Sequence, residues 1–221
     1  MKLSSLLLKV VVLALVVVPA SAESVDVHEI AQKVGERYNH LHTLRADFVQ
    51  IYAGAGMDRT ESGTLLLKKP GKMRWEYRSP REKLFLSDGK DAWFYVPGDR
   101  QAKHLPINKL DDLRSPLGLL LGKTRLEKEL QGLSVAPDTT PINSGNVVLR
   151  GVPRKLEERV NEVLLEITPD YRIARIVIQE VDGSTTEFRF TGQQEDLQIA
   201  DQQFRFSSPP GVEVVSGELG Q

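Results

Sequence analysis

The sequence predicts an α+β fold in a single domain, because its periodicity changes near the start of the chain. Apolar residues recur at helical spacing from Val27 to about Leu41, which predicts one amphipathic helix. From Leu44 onward they alternate with a period of two, and short turns rich in Pro, Gly and Asp separate the segments. Such turns join neighbouring antiparallel strands. We therefore expect one helix followed by a meandering antiparallel sheet.

The segment Met1–Ala22 has the features of a secretory signal peptide. Lys2 and Lys9 are positively charged, Val10–Val18 is apolar, and Ala20-Ser21-Ala22 supplies small residues for cleavage. A membrane-anchoring helix is the alternative, but the apolar stretch is shorter than the ~20 residues that span a bilayer. We expect cleavage after Ala22 and export to the periplasm.

We expect residues 23–221 to form a single domain, and the composition of the chain excludes several classes of function. The chain of 221 residues is 40% hydrophobic and 27% charged, which is typical of a folded protein. It contains no cysteine, which excludes disulfides, thiol catalysis and Cys-ligated zinc. Its net charge of −1 provides no basic excess for nucleic-acid binding.

Local signals place the individual elements. Asp26 is the expected N-cap of the helix, with Glu29 three residues later. Asp88-Gly89 predicts a tight hairpin. The predicted strands are Leu44–Tyr52, Gly63–Lys68, Lys72–Arg78, Lys83–Ser87, Asp91–Val96, Val147–Leu149, Glu162–Thr168, Ile173–Glu180 and Thr185–Phe190. Short helical segments are expected in the middle, at Ile107–Leu113, Leu117–Leu121 and Thr124–Leu130, and an extended ending at Gln203–Val215.

Catalytic and metal-binding patterns are not found in the sequence. Gly118–Thr124 superficially matches a nucleotide-binding P-loop, but its glycines are separated by three residues, one fewer than the phosphate cradle needs. Neither a Gly-x-Ser-x-Gly elbow nor a His-Glu-x-x-His motif occurs. We therefore predict a protein that is not an enzyme, with no catalytic residue, metal or cofactor.

Apolar residues are concentrated in two unusual places. The four leucines of Leu117–Leu121 fill a short segment within a polar region, and six of the aromatic residues fall between Trp75 and Tyr95. An ordinary hydrophobic core explains this pattern. The functional alternative is a sheet face that holds a lipid beneath a movable leucine-rich cover.

Four motifs, in order, resemble the LolA family of periplasmic lipoprotein carriers. They are Phe48-Val49-Gln50, then Gly63–Pro70 with Met73-Arg74-Trp75, then Leu86–Lys90 with Trp93–Pro97, and finally Phe204–Val212. The resemblance implies an incompletely closed antiparallel β-barrel, or half-barrel, covered by short α-helices. It also implies a monomeric carrier that receives lipoproteins from the inner-membrane Lol ABC transporter, binds their acyl chains and delivers them to an outer-membrane acceptor.

Strand parity and the resemblance together suggest the residues that bind lipid. The predicted cavity wall consists of Met73, Trp75, Leu65, Leu67, Trp93 and Tyr95. The predicted cover consists of Leu117, Leu119, Leu120 and Leu121. A one-residue error in register would move any strand's residues to the opposite face.

One position departs from the family pattern. The family typically has an arginine before the proline that ends the second predicted strand, where it ties the cover down, and this chain has Lys69. Lysine lacks the planar fork of arginine, so Lys69 forms a different latch or Arg74 replaces it. The simpler alternative is that Lys69 is an exposed charge at the strand end.

Two other functions compete with the carrier. A periplasmic sensor could bind lipids or lipoproteins on the same scaffold without transporting them, although such relatives usually carry an extra domain. A periplasmic hydrolase is the third possibility, and the sequence provides no nucleophile or metal constellation for it.

Overall fold

The computed structural model describes residues 25–106 and 125–217. The helices are α1 (Val27–His40) and the short α2 (Leu126–Glu129), and Asp201–Phe204 forms a 3-10 turn. The strands are β1 (Thr43–Gly54), β2 (Met57–Lys68), β3 (Lys72–Ser79), β4 (Lys83–Asp88), β5 (Asp91–Tyr95), β6 (Gln101–Pro106), β7 (Leu130–Val135), β8 (Val147–Pro153), β9 (Val160–Ile167), β10 (Ile173–Glu180), β11 (Thr185–Glu195) and β12 (Glu213–Ser216).

The twelve strands of the described residues belong to one open sheet. Their order is β12-β6-β5-β4-β3-β2-β1-β11-β10-β9-β8-β7. Two meanders, β1 to β6 and β7 to β11, join where β1 pairs with β11. Among the described strands every pair is antiparallel except β12 with β6. The strands β12 and β7 are at the two edges, so the sheet is a half-barrel, as predicted.

One face of the sheet carries the main hydrophobic core, and we call it the inner face. Helix α1 packs here through Ala31, Val34 and Tyr38. Alternation along β9 directs Leu165 to this face, while Leu164 packs in a smaller cluster on the opposite, outer face. The period of two therefore gives β9 two buried sides over much of its length.

Most predicted elements are confirmed by the structure. Helix α1 begins after the predicted N-cap, since Asp26 Oδ1 accepts hydrogen bonds from the N–H groups of His28 and Glu29. Strand β2 starts at Met57, six residues earlier than Gly63, because the polar first half is paired with β1. Strands β6 and β7 were not predicted, since their composition shows little alternation.

Three sequence predictions lie outside the described residues. They are the signal peptide, residues 1–22, the short helix at Ile107–Leu113, and the leucine-rich cover formed by Leu117, Leu119, Leu120 and Leu121. No helix within residues 25–106 and 125–217 is long and apolar enough to cross a membrane.

Candidate functional site

Four of the six residues predicted to line a lipid cavity lie together on the inner face. Leu65 pairs with Trp75, and Leu67 pairs with Met73, across β2 and β3. Directly paired residues point to the same side of an antiparallel sheet. All four side chains are buried and belong to the core that packs beneath α1.

Trp75 is the centre of an aromatic cluster on this face. The Phe48 ring centroid lies 4.9 Å from that of Trp75 and 5.0 Å from that of Tyr77, and Phe188 lies 5.5 Å from Trp75. Gly63 stands between Phe48 and Tyr77 in the register. A Cβ at this position would lie 1.9 Å from the carbonyl oxygen of Glu76, so glycine is required here and leaves the rings free to touch.

Polar groups border the aromatic cluster on the side toward the β1–β2 turn. The Lys83 Nζ lies 2.5 Å from Glu61 Oε1, in an ion pair whose side chains are only 19% and 6% exposed. It also lies 4.3 Å from the centre of the Tyr77 ring, and the Tyr77 hydroxyl donates to Gln50 Oε1 at 2.7 Å. We call Gln50, Glu61, Tyr77 and Lys83 the polar cluster.

Burial governs the ionisation of this cluster's tyrosine. Desolvation raises the pKa of the Tyr77 hydroxyl, and the negative charge of Glu61 raises it further against the opposing charge of Arg59. Tyr77 is therefore neutral and keeps its proton to donate to Gln50. The polar cluster was not predicted from the sequence, although the Phe-x-Gln motif places Phe48 and Gln50 on one face by its period of two.

The indole nitrogen of Trp75 is a buried donor within the aromatic cluster. Trp75 is 3% exposed, and its Nε1 has no hydrogen-bond partner among the described residues. Leaving a buried donor unpaired costs about 1–3 kcal/mol. The aromatic cluster therefore contains an unused N–H group within an apolar surrounding.

The structure corrects the placement of Trp93 and Tyr95. Trp75 pairs with Phe85, and Phe85 pairs with Phe94. Phe94 therefore shares the inner face with Trp75, whereas its neighbours Trp93 and Tyr95 point to the outer face. The prediction assigned β5 the wrong parity, because consecutive aromatic residues give no alternation from which to choose a face.

Trp93 and Tyr95 instead pack against the C-terminal segment. Phe206 stacks on Trp93 with ring centroids 6.0 Å apart and meets Tyr95 edge-on at 6.2 Å. The hairpin motif and the C-terminal motif of the sequence therefore contact each other on the outer face. In the described structure, Trp93 and Tyr95 hold the C-terminal segment against the outer face of the sheet.

Lys69 is attached to helix α1. Its Nζ donates to the carbonyl oxygens of Tyr38 at 2.5 Å and Asn39 at 3.0 Å, where an ammonium group stabilises the negative end of the helix. Burial lowers the pKa of Lys69, and the charge of Asp196 opposes this. Lys69 is therefore half-buried and bonded to the helix, and the alternative of a simply exposed charge at the strand end is wrong.

Arg74 lies on the outer face and does not contact α1. It pairs with Leu86 in the register, its Nε lies 3.1 Å from Glu76 Oε2, and its guanidinium donates to the carbonyl oxygen of Gln203 at 3.4 Å. The prediction that Arg74 could replace Lys69 is therefore not supported by its position.

Two further contacts hold the C-terminal half of α1 against the sheet. Arg37 donates to both carboxylate oxygens of Glu195 at 2.7–2.9 Å and to the carbonyl oxygen of Asp170 at 2.9 Å. The hydroxyl of buried Tyr38 accepts a hydrogen bond from the N–H of Ile173 at 2.9 Å. The N-terminal half is tied more weakly, through the exposed His28–Glu127 pair.

The geometry defines a class of protein: a half-barrel whose apolar inner face is covered, in the described part of the chain, by helix α1. Comparison with solved structures agrees, since an uncharacterised conserved protein from Thermus thermophilus superposes with a TM-score of 0.51 at 14% identity. The match covers 86% of this chain and 98% of that one. At this identity the likeness concerns the fold alone.

The family model described as outer membrane lipoprotein carrier protein LolA matches residues 39–207. The chain therefore belongs to the LolA family. An outer-membrane lipoprotein carrier protein from Nitrosospira multiformis is 31% identical, with 80% of this chain and 84% of that protein covered. The corresponding protein from Nitrosomonas europaea is 26% identical, with 95% and 98% covered. These names describe carriers, and none names an enzyme.

Proposed function

We propose that this protein carries lipoproteins through the periplasm by sheltering their acyl chains against its inner face. In this proposal the signal peptide is cleaved after Ala22, and residues 23–221 act as one monomeric carrier domain. The inner-membrane Lol ABC transporter supplies the cargo, and an outer-membrane acceptor removes it. Membership of the LolA family carries the proposal.

The physical chemistry of the inner face supports a carrier for acyl chains. Each buried acyl CH₂ contributes ~0.8 kcal/mol, so one long chain would cost roughly 10 kcal/mol to expose to water. Leu65, Leu67, Met73 and Trp75 present a continuous apolar surface. We propose that these four residues contact the cargo's chains once α1 and the cover move away.

The cover and its latch complete the proposal. Leu117, Leu119, Leu120 and Leu121 would lie over the inner face of the unloaded protein. Lys69 would keep α1 in place through the last carbonyl groups of the helix. An ammonium group makes point contacts without bidentate geometry, so this latch should release more readily than the arginine typical of the family.

A release assay tests the carrier function. The mature protein is incubated with spheroplasts that retain a labelled lipoprotein at the inner membrane. We expect the lipoprotein to appear in solution in a complex of one carrier with one cargo molecule. Binding of lipid without any release would contradict the carrier and support a sensor on the same scaffold.

Met73→Glu tests the proposed inner-face site. A carboxylate among the apolar residues is expected to abolish release, because burying an unpaired charge is strongly unfavourable. Leu66→Glu is the matched control, since Leu66 pairs with Arg74 on the outer face. Unchanged release by the Met73→Glu protein, with its folding verified, would reject the site.

A further inference from the structure

The inner face changes in character along strand β3. Met73 lies beside Leu67 and Trp75 beside Leu65, whereas Tyr77 pairs with Lys83. Trp75 therefore lies between the aliphatic pair Leu67–Met73 and the polar cluster. A ligand that is apolar at one end and polar at the other would have its junction near this residue.

Among residues 25–106 and 125–217, the surroundings of Trp75 provide no acceptor for its N–H group. The rings nearest to it are those of Phe48, Tyr77 and Phe188, and the Tyr77 hydroxyl already bonds Gln50. Buried donors in native proteins are nearly always paired. An acceptor brought by a ligand would supply the partner that the described residues lack.

Acyl chains bring an acceptor of this kind. Every acyl group ends in a carbonyl, whose oxygen accepts hydrogen bonds and has no donor of its own. A carbonyl moved from water into an apolar site needs a donor to replace its water. The indole of Trp75 is a donor only, so the two groups are complementary.

We propose that the indole N–H of Trp75 donates a hydrogen bond to an acyl carbonyl of the bound cargo and thereby sets how deeply the chain enters. The inference rests on the proposed function, since it assigns a role within the same lipid-binding face. In this arrangement the methylene chain lies along Leu67 and Met73 of β2 and β3. The linkage to the rest of the cargo lies beside the polar cluster.

A pair of small lipids isolates this hydrogen bond. 1,2-Dioctanoylglycerol carries ester carbonyls, and 1,2-di-O-octylglycerol has the same chain length with ether linkages. Affinities are measured for the wild-type protein, Trp75→Phe and the control Trp93→Phe, whose indole lies on the outer face. Each protein is measured with both lipids, so the difference in hydration between ester and ether is the same for every protein. It therefore cancels when the ester-to-ether affinity ratios of two proteins are compared.

We expect Trp75→Phe to lower the ester-to-ether affinity ratio about 3- to 10-fold, the size of one net hydrogen bond. Trp93→Phe should leave the ratio unchanged. An equal ratio in wild-type and Trp75→Phe, with both lipids bound, would overturn the inference and leave the proposed function intact. Failure of the wild-type protein to bind either lipid would overturn both.

Nuclear magnetic resonance keeps the test valid if Trp75→Phe does not fold. The chain has two tryptophans, so the wild-type protein gives two indole N–H signals, and Trp93→Phe assigns them. The ester lipid should shift the Trp75 signal downfield, the ether lipid should not, and the Trp93 signal should stay in place. The same Trp75 shift with both lipids would contradict a bond to the carbonyl.

Discussion

The two halves of the inner face are built differently, although both lie in the same core. Across β8, β9 and β10 the buried residues are aliphatic, with Leu149, Leu165 and Ile176 each 0% exposed. Across β1, β2, β3, β4 and β11 the core contains wide aromatic rings, an indole N–H without a partner among the described residues, and the Glu61–Lys83 ion pair. We infer that the aliphatic half mainly stabilises the fold and that the aromatic half is adapted to a ligand.

The largest expected effect tests the aliphatic half. Ile176→Ala should lower the free energy of unfolding by about 2–5 kcal/mol, because it leaves a cavity in a fully packed site. Urea denaturation measures the change, and Val181→Ala, at a position 54% exposed, should change stability by less than about 0.5 kcal/mol. Lipid affinity of the folded Ile176→Ala protein should stay near the wild-type value. A large loss of affinity would show that the aliphatic half also contributes to lipid binding.

The ion pair of the aromatic half should show a smaller effect. Lys83→Met leaves the buried Glu61 carboxylate with the more distant Arg59, 3.5 Å away, and should cost about 1–3 kcal/mol of stability. The double variant Glu61→Leu/Lys83→Met should recover most of this loss, because no unpaired charge remains. Denaturation of the single and double variants checks this, and a double variant less stable than Lys83→Met would contradict it.

Helix α1 covers the inner face, so its attachment to the sheet can be tested separately from the two halves of the core. Arg37→Gln removes the bidentate contact with Glu195 and should cost about 1–2 kcal/mol. Hydrogen exchange of the α1 amides should become faster, while exchange in β9 changes little. Lys33→Gln, which removes an exposed contact with Glu36, serves as the control.

The smallest expected effect is a decrease in the free energy of unfolding at acidic pH. Burial raises the pKa of Glu166, but hydrogen bonds from Ile142, Asn146 and Asn143 and the charge of Arg175 outweigh it, so the pKa is lowered overall. A carboxyl with a depressed folded-state pKa stabilises the protein above its unfolded pKa, and this contribution is lost as pH falls through the folded pKa. We therefore expect the free energy of unfolding to fall as pH drops below about 4.5, the ordinary Glu value.

Glu166→Gln provides the comparison for this acid effect. Glutamine does not titrate, so the variant should be less stable than wild type at neutral pH and should lose less on acidification. Denaturation at several pH values between about 3 and 7 measures both slopes. Equal slopes would show that Glu166 does not contribute to acid sensitivity.

Much of the fold could be predicted because its signals are local. The N-cap at Asp26 and the hairpin at Asp88-Gly89 depend on a few neighbouring residues, and both elements are present. Strands β6 and β7 depend on pairing with distant strands, which their own composition does not reveal. The sheet order likewise required the structure, because β1 pairs with β11 across most of the chain.

The candidate site was predictable only where alternation is regular. Met73 and Trp75 alternate with charged residues, so their shared face follows from the sequence. The run Trp93-Phe94-Tyr95 has no polar member, so its parity required the register with β4. The Glu61–Lys83 pair joins two strands that are not adjacent, and no spacing rule brings these residues together.

The two edge strands of the sheet bear on aggregation of the protein, because an exposed edge can pair with a strand of another molecule. Strand β12 has four residues, and β7 has an irregular register between Gln131 and Ser134, with Gly132 at a positive φ. Short or bulged edges hinder the addition of a further strand from another molecule. We therefore expect the two edges of the open sheet to resist the addition of strands from a second molecule.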